Sequence, residues 1–192
     1  MAGRINKQKI QQEIVKNKSV QKMVYNIVQK EIEKEKILFR TEFESHPVTR
    51  ELEAGENASN ISGTLGGYGN LFSFLGFNKG SSPTAPVKLL IQKIFLDRNI
   101  QTSSSGFKLK VNIPSKEEFA SVARLPWEGG RSWLLDMERG ISGLGAYLYG
   151  RFISSRSNGG IQSKYNYSNR TFRPVKYFDQ MYTKFLKRIG AI

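Results

Sequence analysis

Apolar positions recur along the first quarter of the chain at helical steps: Ile10, Ile14, Met23, Val24, Ile27, Val28, Ile32, Leu38, Phe39 and Phe43, interleaved with Lys and Glu. This stripe predicts helix from about residue 6 to residue 44, with a break or fraying across Lys16 to Ser19, where the pattern lapses. Such a helix would reach roughly 50 Å, more than a small domain needs. Two readings follow: two ordinary helices packed on the core, or an arm laid on a neighbouring subunit. Ser45-His46-Pro47 ends the pattern, because proline disfavours helix in the residue before it. Pro47 then suits the first turn of a short helix over Val48 to Ala54, stopped by Gly55.

The run Leu71, Phe72, Phe74, Leu75 and Phe77 is apolar at nearly every position. Read as a strand, it needs cover on both faces. It is preceded by a loop carrying Gly63, Gly66, Gly67 and Gly69, whose ordering costs entropy unless something packs on it. The segment is expected to be an extended glycine-rich hairpin or loop, and Gly63, Leu65, Gly66, Gly67, Tyr68, Gly69, Leu71, Phe72 and Phe74 are the expected subunit-interface residues.

After a Gly/Ser/Pro linker, a helix opens near Pro86 with Val87, Leu90, Ile91, Ile94 and Phe95 on its buried face. Two strands follow, Arg98 to Thr102 and Phe107 to Ile113. In the second, Phe107, Leu109, Val111 and Ile113 alternate with Lys108, Lys110 and Asn112, as on a sheet with one wet face. Ser115-Lys116-Glu117-Glu118 is a capping box opening a short helix to about Ala123. From Pro174, Val175, Phe178, Met181, Tyr182, Phe185, Leu186 and Ile189 repeat at helical spacing, with Lys184, Lys187 and Arg188 in the last turn and Gly190 as the stop. The expected fold is α+β: a small antiparallel sheet packed by helices. Residues 1–44 form a helical arm, and residues 45–192 form a core domain with an assembly loop over 55–82.

Charge changes this picture at the C-terminal end. Up to Gly55 there are eleven Lys/Arg against eight Glu (+3); from Arg139 onward there are ten against Asp179 alone (+9), within a total of +14. Arg151, Arg156, Lys164, Arg170 and Arg173 are the candidate contacts for an acidic partner or for DNA. No zinc finger, basic zipper or RNP motif accompanies them.

Little of the sequence supports enzymatic chemistry. The chain has no cysteine, so disulfides, thiolate metal sites and a Cys nucleophile are excluded. His46, the only histidine, has no second imidazole or thiolate with which to bind a metal, and its place at a helix break suits capping. Asp136 and Glu138 would share a face on a strand and form a carboxylate pair on paper, but ion pairing in so basic a chain is the simpler reading. The glycine loop lacks the Lys-Ser/Thr of a phosphate-binding loop and the spaced glycines of a dinucleotide fold. No catalytic residue, metal or cofactor is therefore assigned. No run is apolar enough to span a membrane and the N-terminus lacks a hydrophobic signal core, so a soluble, non-secreted protein is expected.

The order of features resembles the tail-completion, or neck, protein family of long-tailed bacteriophages, related to tail terminators. The matching residues are Ser62-Gly63-Thr64-Leu65 with the run to Phe77, Trp133 through Glu138 with Gly140, and Phe172-Arg173-Pro174 with Phe178. The likeness covers most of the chain after about Leu38. The chain departs from the family pattern in the length of its N-terminal helical region and the richness of its glycine loop. The resemblance implies a structural virion protein, not an enzyme: one subunit of a sixfold ring joining the head connector to the tail and leaving a channel for DNA. Its implied partners are other copies of itself, the neighbouring connector and tail tube or sheath proteins, and DNA by non-specific contact. It would be assembled in the host cytoplasm and reside in the virion neck or tail. The alternative is a basic nucleic-acid-binding module.

Overall fold

The structure, a computed structural model, describes residues 7–65, 70–103, 106–126, 131–139 and 175–192. Two N-terminal helices, α1 (Lys7–Lys16) and α2 (Lys18–Ser45), meet at the expected break. Asn17 makes the corner: its side-chain carbonyl accepts from the amides of Ser19 and Val20, satisfying donors that the start of a helix leaves free. The Gln21 side chain ties back to the Val15 carbonyl at 2.9 Å. Helix α3 (Pro47–Ala54) starts at His46-Pro47 and stops at Gly55, whose φ of 71° lies in the left-handed region that glycine tolerates.

The apolar run is helical rather than extended. Helix α4 (Leu71–Phe74) is a single turn capped by Asn70, whose Oδ1 accepts from Ser73 N at 2.9 Å. Leu71, Phe72, Phe74, Leu75 and Phe77 are all buried in the chain's own core. A short apolar run reads alike as a buried strand or an all-round buried helix, and the Asn70 cap decides between them.

Helix α5 (Ala85–Gln92) leads into β1 (Phe95–Leu96), so Phe95 belongs to a strand and is exposed rather than part of the helix's buried face. A single hairpin follows, paired near its tip through β2 (Gln101–Ser103) and β3 (Gly106–Lys108) and near its base through β1 and β4 (Val111–Asn112). Both ladders are antiparallel, with Thr102 opposite Phe107 and Leu96 opposite Val111. Phe107, Leu109, Val111 and Ile113 are half-buried while Lys108 and Lys110 are exposed, as expected, but Asn112 is half-buried as well and all three residues of β2 are exposed.

Helix α6 (Lys116–Val122) carries the full capping box between Ser115 and Glu118. The segment Trp133–Arg139 is helix α7, not a strand, and α8 (Phe178–Arg188) begins four residues beyond Pro174. Residues 175–177, just ahead of α8, are not helical, and Val175 N reaches the Met137 carbonyl at 3.2 Å.

The fold is α+β, with helices dominating and the small antiparallel hairpin packed against them. Its core is an aromatic box where α2, α6 and α8 meet. Phe39 stacks on Phe185 at 5.1 Å and lies 5.8 Å from Phe178, while Phe119 and Phe178 are 4.7 Å apart. Ile32, Phe39 and Phe43 of α2 sit in this core beside Leu52, Leu71 and Trp133. A boundary at residue 44 therefore does not separate an arm from a core: the C-terminal half of α2 is core, and only α1 with the N-terminal half of α2 extends from it.

Candidate functional site

Two surfaces follow from this architecture: the loop between Ser62 and Leu71, and the N-terminal helical extension. The loop is defined by its base. Glu51 on α3 is wholly buried, and its carboxylate accepts from Ser62 N (Oε2, 2.7 Å) and from Leu71 N (Oε1, 2.7 Å). One side chain thus pins both ends of the glycine segment, and the Asn70 side chain adds a bond to the Glu56 carbonyl at 2.8 Å. Gly63 is exposed in a turn at φ 66°, while Leu65 is buried. Of the expected interface residues, Leu65, Leu71, Phe72 and Phe74 are consequently core, not surface, in this chain. Gly66, Gly67, Tyr68 and Gly69 lie outside the described residues.

The extension is different in kind. Ile10 and Ile14 are one turn apart on α1, and Met23 and Ile27 one turn apart on α2; all four are exposed. Met23 and Ile27 are 62% and 61% exposed, so they are left largely uncovered by the described residues. Val15 alone on α1 is buried, where α1 lies against the hairpin and α2.

The possible chemical residues are dispersed. His46 caps α3, its Nδ1 accepting from Val48 N at 3.3 Å, and its ring packs 4.6 Å from Tyr177. Burial holds its pKa below the ordinary value, opposed by a hydrogen bond with the Lys176 backbone. The capping role expected of this residue is the one it has. Asp136 pairs with Arg131 at 2.6 Å, and the Glu138 carboxylate accepts from the backbone amide of Asp179. On helix α7 residues two apart point to different sides, so the carboxylates do not converge. Tyr177 is fully buried and shares a 2.5 Å hydrogen bond with Thr49; burial pushes its phenol well up, the Thr49 contact opposing.

An open hollow of about 500 Å³ lies beside the start of α8, bordered by Glu138, Tyr177, Asp179, Thr183 and Lys187. It abuts both ends of residues 140–174, which lie outside the described residues together with Arg151, Arg156, Lys164, Arg170 and Arg173. Among the described residues, no group of three or more His, Asp or Glu is arranged to hold a metal, and no helix is long and apolar enough to cross a membrane. No family model, curated protein or solved structure matches the chain.

Proposed function

We propose that this chain is a structural subunit of a ring in the neck of a tailed bacteriophage, joining head to tail and completing or terminating the tail around a DNA channel. The observation that supports this reading is the exposure of apolar side chains on both N-terminal helices, Ile10 and Ile14 on α1 and Met23 and Ile27 on α2. A closed ring needs heterologous contacts, in which one patch of a subunit meets a different patch of the next. Helix α2 is about 42 Å long at 1.5 Å per residue, enough to root one end in its own core and lay the other on a neighbour. The pinned loop between Ser62 and Leu71 offers a second, separate contact, presented on a fixed base. The sixfold count and the connector and tail partners come from the family resemblance.

The test is assembly. Met23→Lys with Ile27→Lys places two charges on exposed positions, so the variant should keep the wild-type melting temperature and circular dichroism. Light scattering of the wild-type protein at its highest soluble concentration should give a closed ring or a ladder of oligomers, and the variant should remain monomeric. A variant that assembles like wild type removes the arm from the ring contact, and a wild type that stays monomeric under all salt conditions counts against self-assembly.

A further inference from the structure

Among the described residues, the net positive charge is concentrated at one end, formed by α1, the first turns of α2 and the hairpin that α1 lies against. Segments 7–22 and 97–110 carry Lys7, Lys9, Lys16, Lys18, Lys22, Arg98, Lys108 and Lys110 against Glu13 and Asp97, eight to two (+6). All eight basic side chains are exposed. The remaining described residues hold sixteen Lys/Arg against thirteen acids (+3). Many of those are matched in pairs: Lys34 with Glu31, Lys36 with Glu33, Arg40 with Glu44, Lys79 with Glu56 and Lys88 with Glu53. In contrast, Lys16, Lys18, Lys22, Arg98, Lys108 and Lys110 enter no ion pair among the described residues.

Such an array costs self-repulsion, and those six side chains have no ion pair among the described residues to offset it. It is also spread out: a ten-residue helix, a helix start and both strands of a hairpin, with no cavity shaped for a single small anion. Lysines on flexible stems act as point charges, suited to a repeating anion rather than to one planar group. An anionic membrane is the poorer match, because α1 exposes only Ile10 and Ile14 as apolar residues and has no aromatic to seat in a bilayer interface.

We propose that this end of the molecule binds the phosphate backbone of nucleic acid, without reading sequence. The site is built from described residues alone and does not depend on ring formation. Bound phosphates replace the missing acidic partners, and release of condensed counterions drives the association. Hairpin and helix together offer charge on two elements that lie against each other, so the contact spans more than one phosphate.

The experiment is fluorescence anisotropy of a labelled mixed-sequence 20-base-pair duplex with the full-length protein, titrated between 50 and 200 mM salt. Wild type should bind, with affinity falling steeply as salt rises and changing little when the sequence is scrambled. The quadruple variant Lys16→Gln, Lys18→Gln, Lys108→Gln and Lys110→Gln changes only exposed side chains; it should keep its melting temperature, lose about ten-fold or more in affinity, and show a salt slope shallower by about 3 to 4. A control, Lys30→Gln with Lys34→Gln, Lys79→Gln and Lys88→Gln, should bind nearly as wild type. The proposal is overturned if wild type does not bind at 50 mM salt, if the quadruple variant binds as well as wild type, or if vesicles of mixed anionic and neutral phospholipid bind the protein more tightly than the duplex does at equal salt. Because binding is read on the protein at concentrations below assembly, failure here and failure of the ring reading are separate results.

Discussion

A carboxylate with no solvent contact needs donors, and Glu51 has the amides of Ser62 and Leu71 at 2.7 Å each. Replacing it by Gln turns one oxygen into an NH2 that faces an N–H, leaving a buried donor unmet. Glu51→Gln should therefore cost about 1–3 kcal/mol in urea unfolding, with the Ser62 and Leu71 amides exchanging faster than the rest of the core. His46 gives a pH-dependent counterpart. Its native pKa lies below the ordinary 6.5, so the unfolded chain binds the proton more readily. The stability from this site is fully present above 6.5 and declines as the pH falls through and below that value, since protonated Nδ1 can no longer accept from Val48 N. Melting temperatures measured from pH 7.5 to 5.5 should fall for wild type, and the fall should be smaller in His46→Asn, which keeps a capping acceptor without the titration.

At the scale of elements, helix α8 is held by more than its aromatic face. Arg188 near its end reaches back to Glu35 at 2.6 Å and Glu42 at 2.8 Å on α2, and Glu35 is buried. Removing the guanidinium strands a carboxylate in a poorly solvated place, which costs more than the lost attraction. Arg188→Ala should destabilise the protein by about 1–3 kcal/mol, measured by denaturant unfolding, whereas Lys34→Ala at the exposed Lys34–Glu31 pair should leave the unfolding midpoint nearly unchanged. Helix identity was legible where a local signal existed: the Ser115–Glu118 capping box, the Pro47 start, the Gly55 and Gly190 stops, and the lapse around Asn17 all mark real boundaries. It was not legible in Leu71 to Phe77 or Trp133 to Arg139. Both are short and apolar at most positions, so their period carries no helix-or-strand information; for the first, the Asn70 cap decides for helix.

At the scale of the whole molecule, two exposed features share the N-terminal helices: the apolar residues Ile10, Ile14, Met23 and Ile27, and the lysines of α1 and α2, joined by those of the hairpin. The Met23→Lys/Ile27→Lys variant and the quadruple lysine variant should separate them, the first losing assembly and keeping duplex binding, the second losing binding. Summed over the sequence, the C-terminal stretch is the most basic part, because residues 1–55 total only +3. That sum averages a basic start, five Lys against Glu13 over residues 7–22, with a later stretch where Glu31, Glu33, Glu42 and Glu44 are present. Only the packing of α1 against β2 and β3 brings Lys108 and Lys110 to the same end.

The sequence by itself determined the α+β class, most helix boundaries, the hairpin and the capping role of His46, because caps, breakers and periodicity act between residues a few positions apart. Tertiary structure alone decided which apolar residues are core and which are left over. Phe72 and Met23 are both hydrophobic in hydrophobic patterns, yet one is buried and the other exposed. That difference depends on what lies across from each side chain, contacts made by residues far away in the chain, and no local pattern encodes it.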